Sequence, residues 1–219
     1  MTDLKRPKKI ELPRDVTTSM TGLAALWVAL PLMGEFQGIV RTLILTGARR
    51  GEVAGMKWSE VDTDNSIWRL PAARIKEGTR GRKKEIPLSP LALSVINAQP
   101  KQKGCPLVFG TVNGKVFDDW NKKWKPVFKT EPLVHMEYFT PHDIRRTLST
   151  RINGDLNSWL VQNREGVFVR SEVVEEIIGH AAGGHKSGVA AVYNNATYDD
   201  ERRLALDAWA DFLNVWITK

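Results

Sequence analysis

"WSEVDTDNSIWRLPAARIKEGTRGRKKEIPLS", residues 58–89, interrupts a chain that otherwise reads as helices. An Asp-Asn turn near Asp64, a second turn around Gly78 to Gly81 and strand-like runs between them predict a three-stranded antiparallel sheet. On its N-terminal side, apolar residues recur at helical spacing over 19–30 and 33–46, and "RRGEVAGMKW" (49–58) reads as a short third helix. Beyond Ser89 the spacing predicts helices over about 89–98, 116–128, 141–153, 171–179 and 199–216. The expected fold class is therefore mainly α, of the α+β kind, with one small sheet. Residues 155–170, "DLNSWLVQNREGVFVR", read as a long connection with no assigned function. Residues 1–17 are polar, basic and interrupted by Pro7 and Pro13, as in a linker or arm, which leaves 18–219 as the folded domain.

A chain of 219 residues with 42% hydrophobic content can bury a real core. The longest apolar run, "GLAALWVALPLMG" (22–34), is too short for a bilayer and is broken by Pro31, so neither a membrane helix nor a signal peptide is expected. Cys105 is the single cysteine, which excludes an internal disulfide framework and any zinc site built from several thiolates. The expectation is a cytoplasmic protein. "GTVNGKV" (110–116) is one residue too short between its glycines for a P-loop and lacks the Ser or Thr after lysine. No HExxH motif and no dense carboxylate set is present, so neither metal nor cofactor is expected.

The net charge of +7 favours polyanionic partners, although positive charge also serves solubility. The densest cluster lies in the sheet segment, where Arg74, Lys76, Arg80, Arg82, Lys83 and Lys84 surround two glycines as a basic hairpin tip; smaller groups stand at "KRPKK" (5–9) and "NKKWK" (121–125). Each cluster reads equally as a solvated face or as a nucleic-acid contact. "TPHD" (140–143) offers Thr140 as N-cap, Pro141 at the first helical position and Asp143 three past the cap, a capping box. His142 and Arg145 then share one face of that helix's first turns, where free N–H groups suit a phosphate.

Arg49, Lys76, His142, Arg145, His180 and Tyr193 are each weak signals taken singly, but their order is not. "TGARRGEVAGMKWSEVD" (46–62), "IKEGTRGRKKEIPLS" (75–89), "HDIRRTLSTRI" (142–152), "IIGH" (177–180) and "GVAAVYNNATYDDERRLALDAWADFL" (188–213) together resemble the catalytic domain of the tyrosine recombinases, the phage-type integrases, over about residues 19–216. The resemblance implies an activating set of Arg49, Lys76, His142, Arg145 and His180, with Tyr193 as nucleophile, Glu52 supporting Arg49, and Arg74, Arg80, Arg82, Lys83 and Lys84 contacting DNA. It also implies double-stranded DNA attachment sites as substrate, a tetramer on paired sites, and accessory DNA-bending or directionality factors in a bacterial host. Integrases of this type carry amino-terminal core-binding and arm-binding domains, so a truncated or unusually short member is expected. Ile75 and Asn195 stand where the family often has a hydroxyl residue and an arginine. Tyr198 and His185 are the weaker matches for nucleophile and histidine.

Those residue types permit the implied chemistry. Attack on a phosphodiester places extra negative charge on non-bridging oxygens, which two guanidinium forks can bind. A tyrosine hydroxyl, with a reference pKa near 10, is favoured as phenolate in a cationic pocket. Lys76 is the candidate acid for the leaving 5′ hydroxyl, and a 3′-phosphotyrosine conserves the ester for resealing without ATP or metal. The rival readings are a type IB topoisomerase-like strand transferase and a non-catalytic DNA-binding protein that kept the fold.

Overall fold

The computed structural model describes residues 16–30, 34–75, 84–164, 166–179 and 198–218. Lys76, Arg80, Arg82, Lys83, His180, His185, Tyr193 and nearly all of the 1–17 arm lie outside those residues.

Helix α1 (Met20–Ala29) starts at Ser19, whose side chain accepts the Gly22 N–H. Helix α2 (Glu35–Thr46) ends at Gly47, in the left-handed conformation at φ 61° that glycine adopts without a Cβ clash. Helix α3 (Arg50–Ala54) is a five-residue segment, and a 3-10 turn (Trp58–Glu60) leads into the sheet. Strands β1 (Val61–Asp62), β2 (Ile67–Leu70) and β3 (Lys84–Pro87) form the expected antiparallel sheet in the order β1-β2-β3. Trp68 faces Ile86 and Leu70 faces Lys84, so these four share the inner face of the pleat, while Arg69 and Glu85 pair on the other.

Helix α4 (Pro90–Asn97) has Ser89 as N-cap and Pro90 at its first position, and helix α5 (Trp120–Val127) carries the aromatic lobe. There Phe36, Phe117, Trp120, Trp124, Phe128 and Phe139 stack at centroid separations between 5.0 and 6.3 Å, mostly edge-on or tilted. Helix α6 (Pro141–Arg151) begins at the predicted capping box: Thr140 N–H donates to Asp143 Oδ2 at 2.8 Å and Asp143 N–H to Thr140 Oγ1 at 3.4 Å.

The expected connection at 155–170 is instead largely helical. A π turn (Ile152–Leu156) carries α6 onward into α7 (Asn157–Asn163). Gly154, Asp155 and Asn157 weaken helix propensity there, but Ile152, Leu156 and Leu160 are fully buried, and Asn157 holds the Val169 backbone through two hydrogen bonds. Tertiary packing overrides the local preference. Helix α8 (Ser171–Ile178) ends at the left-handed Gly179, and α9 (Asp199–Ile217) closes the domain.

The core includes Ile39, Val40, Leu43 and Ile44 of α2 and Leu206, Trp209 and Leu213 of α9, which packs against both α1 and α2. Trp209 Nε1 donates to the Ile44 carbonyl at 2.9 Å, satisfying the indole inside the core. Leu204, an apolar residue on α9, is 42% exposed. Among the described residues no helix is long and apolar enough to cross a membrane.

Candidate phosphate site

Three elements converge at the corner after α2. Gly47 turns the chain, Arg49 stands at the N-cap of α3, and Glu52 lies in that helix's first turn. Glu52, 4% exposed, accepts the Arg49 backbone N–H on Oε2 and the Arg49 Nη1 on Oε1, both at 2.9 Å. One buried carboxylate thereby fixes the main chain and the guanidinium of Arg49, whose side chain remains 33% exposed. Helix α6 delivers Arg145 to the same corner, where it is 4% exposed and its Nη1 donates to the Gly47 carbonyl. Its Nη2 is buried and has no hydrogen-bond partner among the described residues. Burial, then the nearby Arg49 charge, lowers the Arg145 pKa to about 10.

Lys84 is the third cation. Its Nζ donates to the Ile177 carbonyl at 3.2 Å, at the C-terminal end of α8, where the helix dipole favours positive charge. Gly179 marks the junction: a Cβ there would lie 3.5 Å from Lys84 Nζ and 4.0 Å from Arg49 Nη1. Burial pushes the Lys84 ammonium down to about 8, with Glu52 opposing and Arg145, Arg49 and Arg202 adding to the shift. Arg202, on the first turn of α9, donates to the Glu85 carbonyl at 2.7 Å and to Asp199, tying that helix to β3.

The structure thus brings Arg49, Glu52, Arg145 and Lys84 together. His142 lies in the first turn of α6, exposed, one turn ahead of Arg145. Arg74 turns inward, with its Nη1 paired to Glu60 and its Nη2 donating to the Glu52 carbonyl at 2.6 Å. Lys84, read from sequence as part of the basic tip, belongs to the inner face instead. The signal was in the sequence: period-2 alternation puts Lys84 on the same face as Ile86. Glu60 was not singled out; an acidic residue between Trp58 and Val61 carries no distinguishing pattern. Tyr198 occupies the N-cap position of α9 at φ 49°, with Arg170 over its ring at 5.2 Å.

Among the described residues no His, Cys, Asp and Glu group could hold a metal ion. The donors are cationic and point to an oxyanion: fixed guanidinium and ammonium groups, with one buried carboxylate that orients Arg49 rather than neutralising the set.

The sequence profile of the phage integrase family matches residues 32–184. The integrase of Shigella phage Sf6 is 26% identical over 190 residues, which cover 83% of this chain and 43% of that protein. Prophage integrase IntS of Escherichia coli K12 is likewise 26% identical over 190 residues, covering 83% of this chain and 43% of its own length. The chain therefore spans less than half the length of these curated relatives. Among solved structures, an integrase from mycobacterium phage Brujita superposes with a TM-score of 0.59 at 16% identity, covering 98% of this chain and 66% of that one, a likeness of fold.

Proposed function

The chain belongs to the phage integrase family, and on that premise we propose that it breaks and rejoins double-stranded DNA at specific sites through a 3′-phosphotyrosine formed on Tyr193. The observation that carries this reading is the pairing of Arg145, whose buried Nη2 has no partner among the described residues, with Arg49 on its carboxylate clamp. Two guanidinium forks can donate to the non-bridging oxygens of a phosphodiester and bind them more strongly as charge accumulates in the phosphorane.

The Tyr193 oxygen attacks phosphorus and the bond to the 5′ oxygen breaks. Lys76 supplies the proton to that leaving oxygen, and His142 and His180 orient the phosphate and move protons. Helix α6 serves as more than a carrier of Arg145, because its capped N-terminus adds a partial positive charge beside His142. A new 5′ hydroxyl then attacks the phosphotyrosine and releases the enzyme, so no external energy source enters the cycle. Arg80, Arg82 and Lys83 contact the DNA backbone, and Lys84 lends its charge to the phosphate from the inner face of the sheet. Pairing of two DNA sites in a tetramer, with accessory proteins that set direction, completes the reaction. Its place of action is the DNA of a bacterial host.

The test uses nicked duplexes whose cleaved end diffuses away, incubated with the protein in chelator and resolved under denaturing conditions. The expected result is a protein–DNA adduct that Tyr193→Phe eliminates while DNA binding persists. Adduct that survives Tyr193→Phe, or that needs a metal ion, would refute the reading.

A further inference from the structure

β2 ends at Leu70, Pro71 fixes the next backbone angle, and a 3-10 turn (Ala72–Arg74) swings Arg74 beneath α3. The Arg74 side chain is 19% exposed and both of its terminal nitrogens are committed inward. Nη1 pairs with Glu60 Oε2, an atom that also accepts the Trp68 indole N–H at 3.1 Å and the Lys57 backbone N–H at 3.2 Å. Nη2 donates to the backbone carbonyl of Glu52 at 2.6 Å. Gly55 admits this approach, since a Cβ there would come within 2.8 Å of Arg74 Nη2. Helix α3, at five residues, is too short to hold itself and needs tertiary support. The carboxylate of the same Glu52 holds the backbone and guanidinium of Arg49.

We propose that Arg74 is a positioning residue for the phosphate site, not a DNA contact: it locks α3 against Glu60 so that Glu52 presents Arg49 in one orientation. This rests on the reading that Arg49 donates to a DNA phosphate. A lysine at 74 offers one charged group where a planar fork spans the Glu60 carboxylate and the Glu52 carbonyl, so Arg74→Lys keeps charge but loses the bridge.

The experiment is a double-mutant cycle on the full chain. Inorganic phosphate is titrated against the arginine side-chain Nε–H resonances, with thermal melts confirming that each variant is folded. Arg74→Lys is expected to weaken phosphate binding roughly threefold or more, and to add nothing once Arg49→Ala is present. Gly55→Ala, which crowds Nη2 while leaving the Glu60 pair intact, is expected to reproduce the loss and provides a second variant should Arg74→Lys fold poorly. Equal weakening with and without Arg49, or no weakening by either variant, overturns the proposal; so does a wild-type protein that shows no phosphate-dependent shift. Coupled phosphate binding without any covalent adduct from nicked duplex supports the positioning role while refuting strand transfer.

Discussion

Two arginine-rich regions flank α3, and they are built on opposite principles. Under the sheet, Arg74 meets Glu60, and at its outer face Arg69 lies between Asp62 and Glu85, so each cation has a carboxylate of its own. In the corner after α2, Arg49, Arg145 and Lys84 crowd together around one carboxylate, Glu52, which among the described residues is bonded to Arg49 alone, and burial drives Arg145 and Lys84 down to about 10 and about 8. The first region balances charge and stabilises structure. The second accumulates charge of one sign in a poorly solvated corner, an arrangement that costs folding free energy and that a bound anion would relieve. Residue type alone does not distinguish a functional arginine from a structural one; the partner does.

The sharpest way to break this contrast is to remove Arg74. Arg74→Met leaves the Glu60 carboxylate buried and unpaired, and is expected to lower stability toward the low end of about 3–5 kcal/mol, since Arg74 keeps some exposure. Urea denaturation measures it, and adding Glu60→Gln should recover much of the loss. If the single variant is as stable as wild type, the pair is no anchor. Arg145→Ala should show the reverse pattern, with a modest change in stability and a loss of about 10² to 10³ in the single-turnover rate of adduct formation. A cleavage rate within a few-fold of wild type would remove Arg145 from the chemistry.

Lys84 gives a smaller effect with a definite sign. Its folded pKa lies below its unfolded value, so between pH 8 and 10.5 the unfolded chain binds more protons. Stability should therefore rise across that window as the ammonium's burial penalty disappears. Lys84→Met should flatten the rise relative to wild type, as read from urea midpoints against pH. A variant with an unchanged slope would show that Lys84 is not the titrating group. Smallest of all is Arg69→Ala: the two pairs it breaks, to Asp62 and Glu85, are only partly buried on the outer face of the sheet, and neither the melting temperature nor adduct formation should change appreciably.

Much of the fold was legible because its signals are local. The turn near Asp64 marked the join of β1 and β2, while the second expected turn, around Gly78 to Gly81, lies outside the described residues; Thr140 and Asp143 announced the start of α6, and apolar spacing marked α1, α2 and α9. Helix α7 was not legible, since Gly154, Asp155 and Asn157 argue for a loop and only the burial of Leu156 and Leu160 outweighs them. At the site, ordered motifs located Arg49, Glu52 and Arg145, which the fold brings to one corner. They could not reveal that Arg74 turns inward to Glu60, because that pairing joins residues 14 apart through a turn whose direction no short motif encodes. Lys84 lay between: the strand period placed it inside, but its neighbours in a run of basic residues suggested a solvated tip.

The most direct test is to digest the covalent protein–DNA product formed on nicked duplex and identify by mass spectrometry the peptide carrying the nucleotide. Attachment of a 3′-phosphate to Tyr193 is the predicted result. Attachment to Tyr198, attachment to a non-tyrosine residue, or the absence of any linked peptide when the element's own DNA is supplied would contradict it.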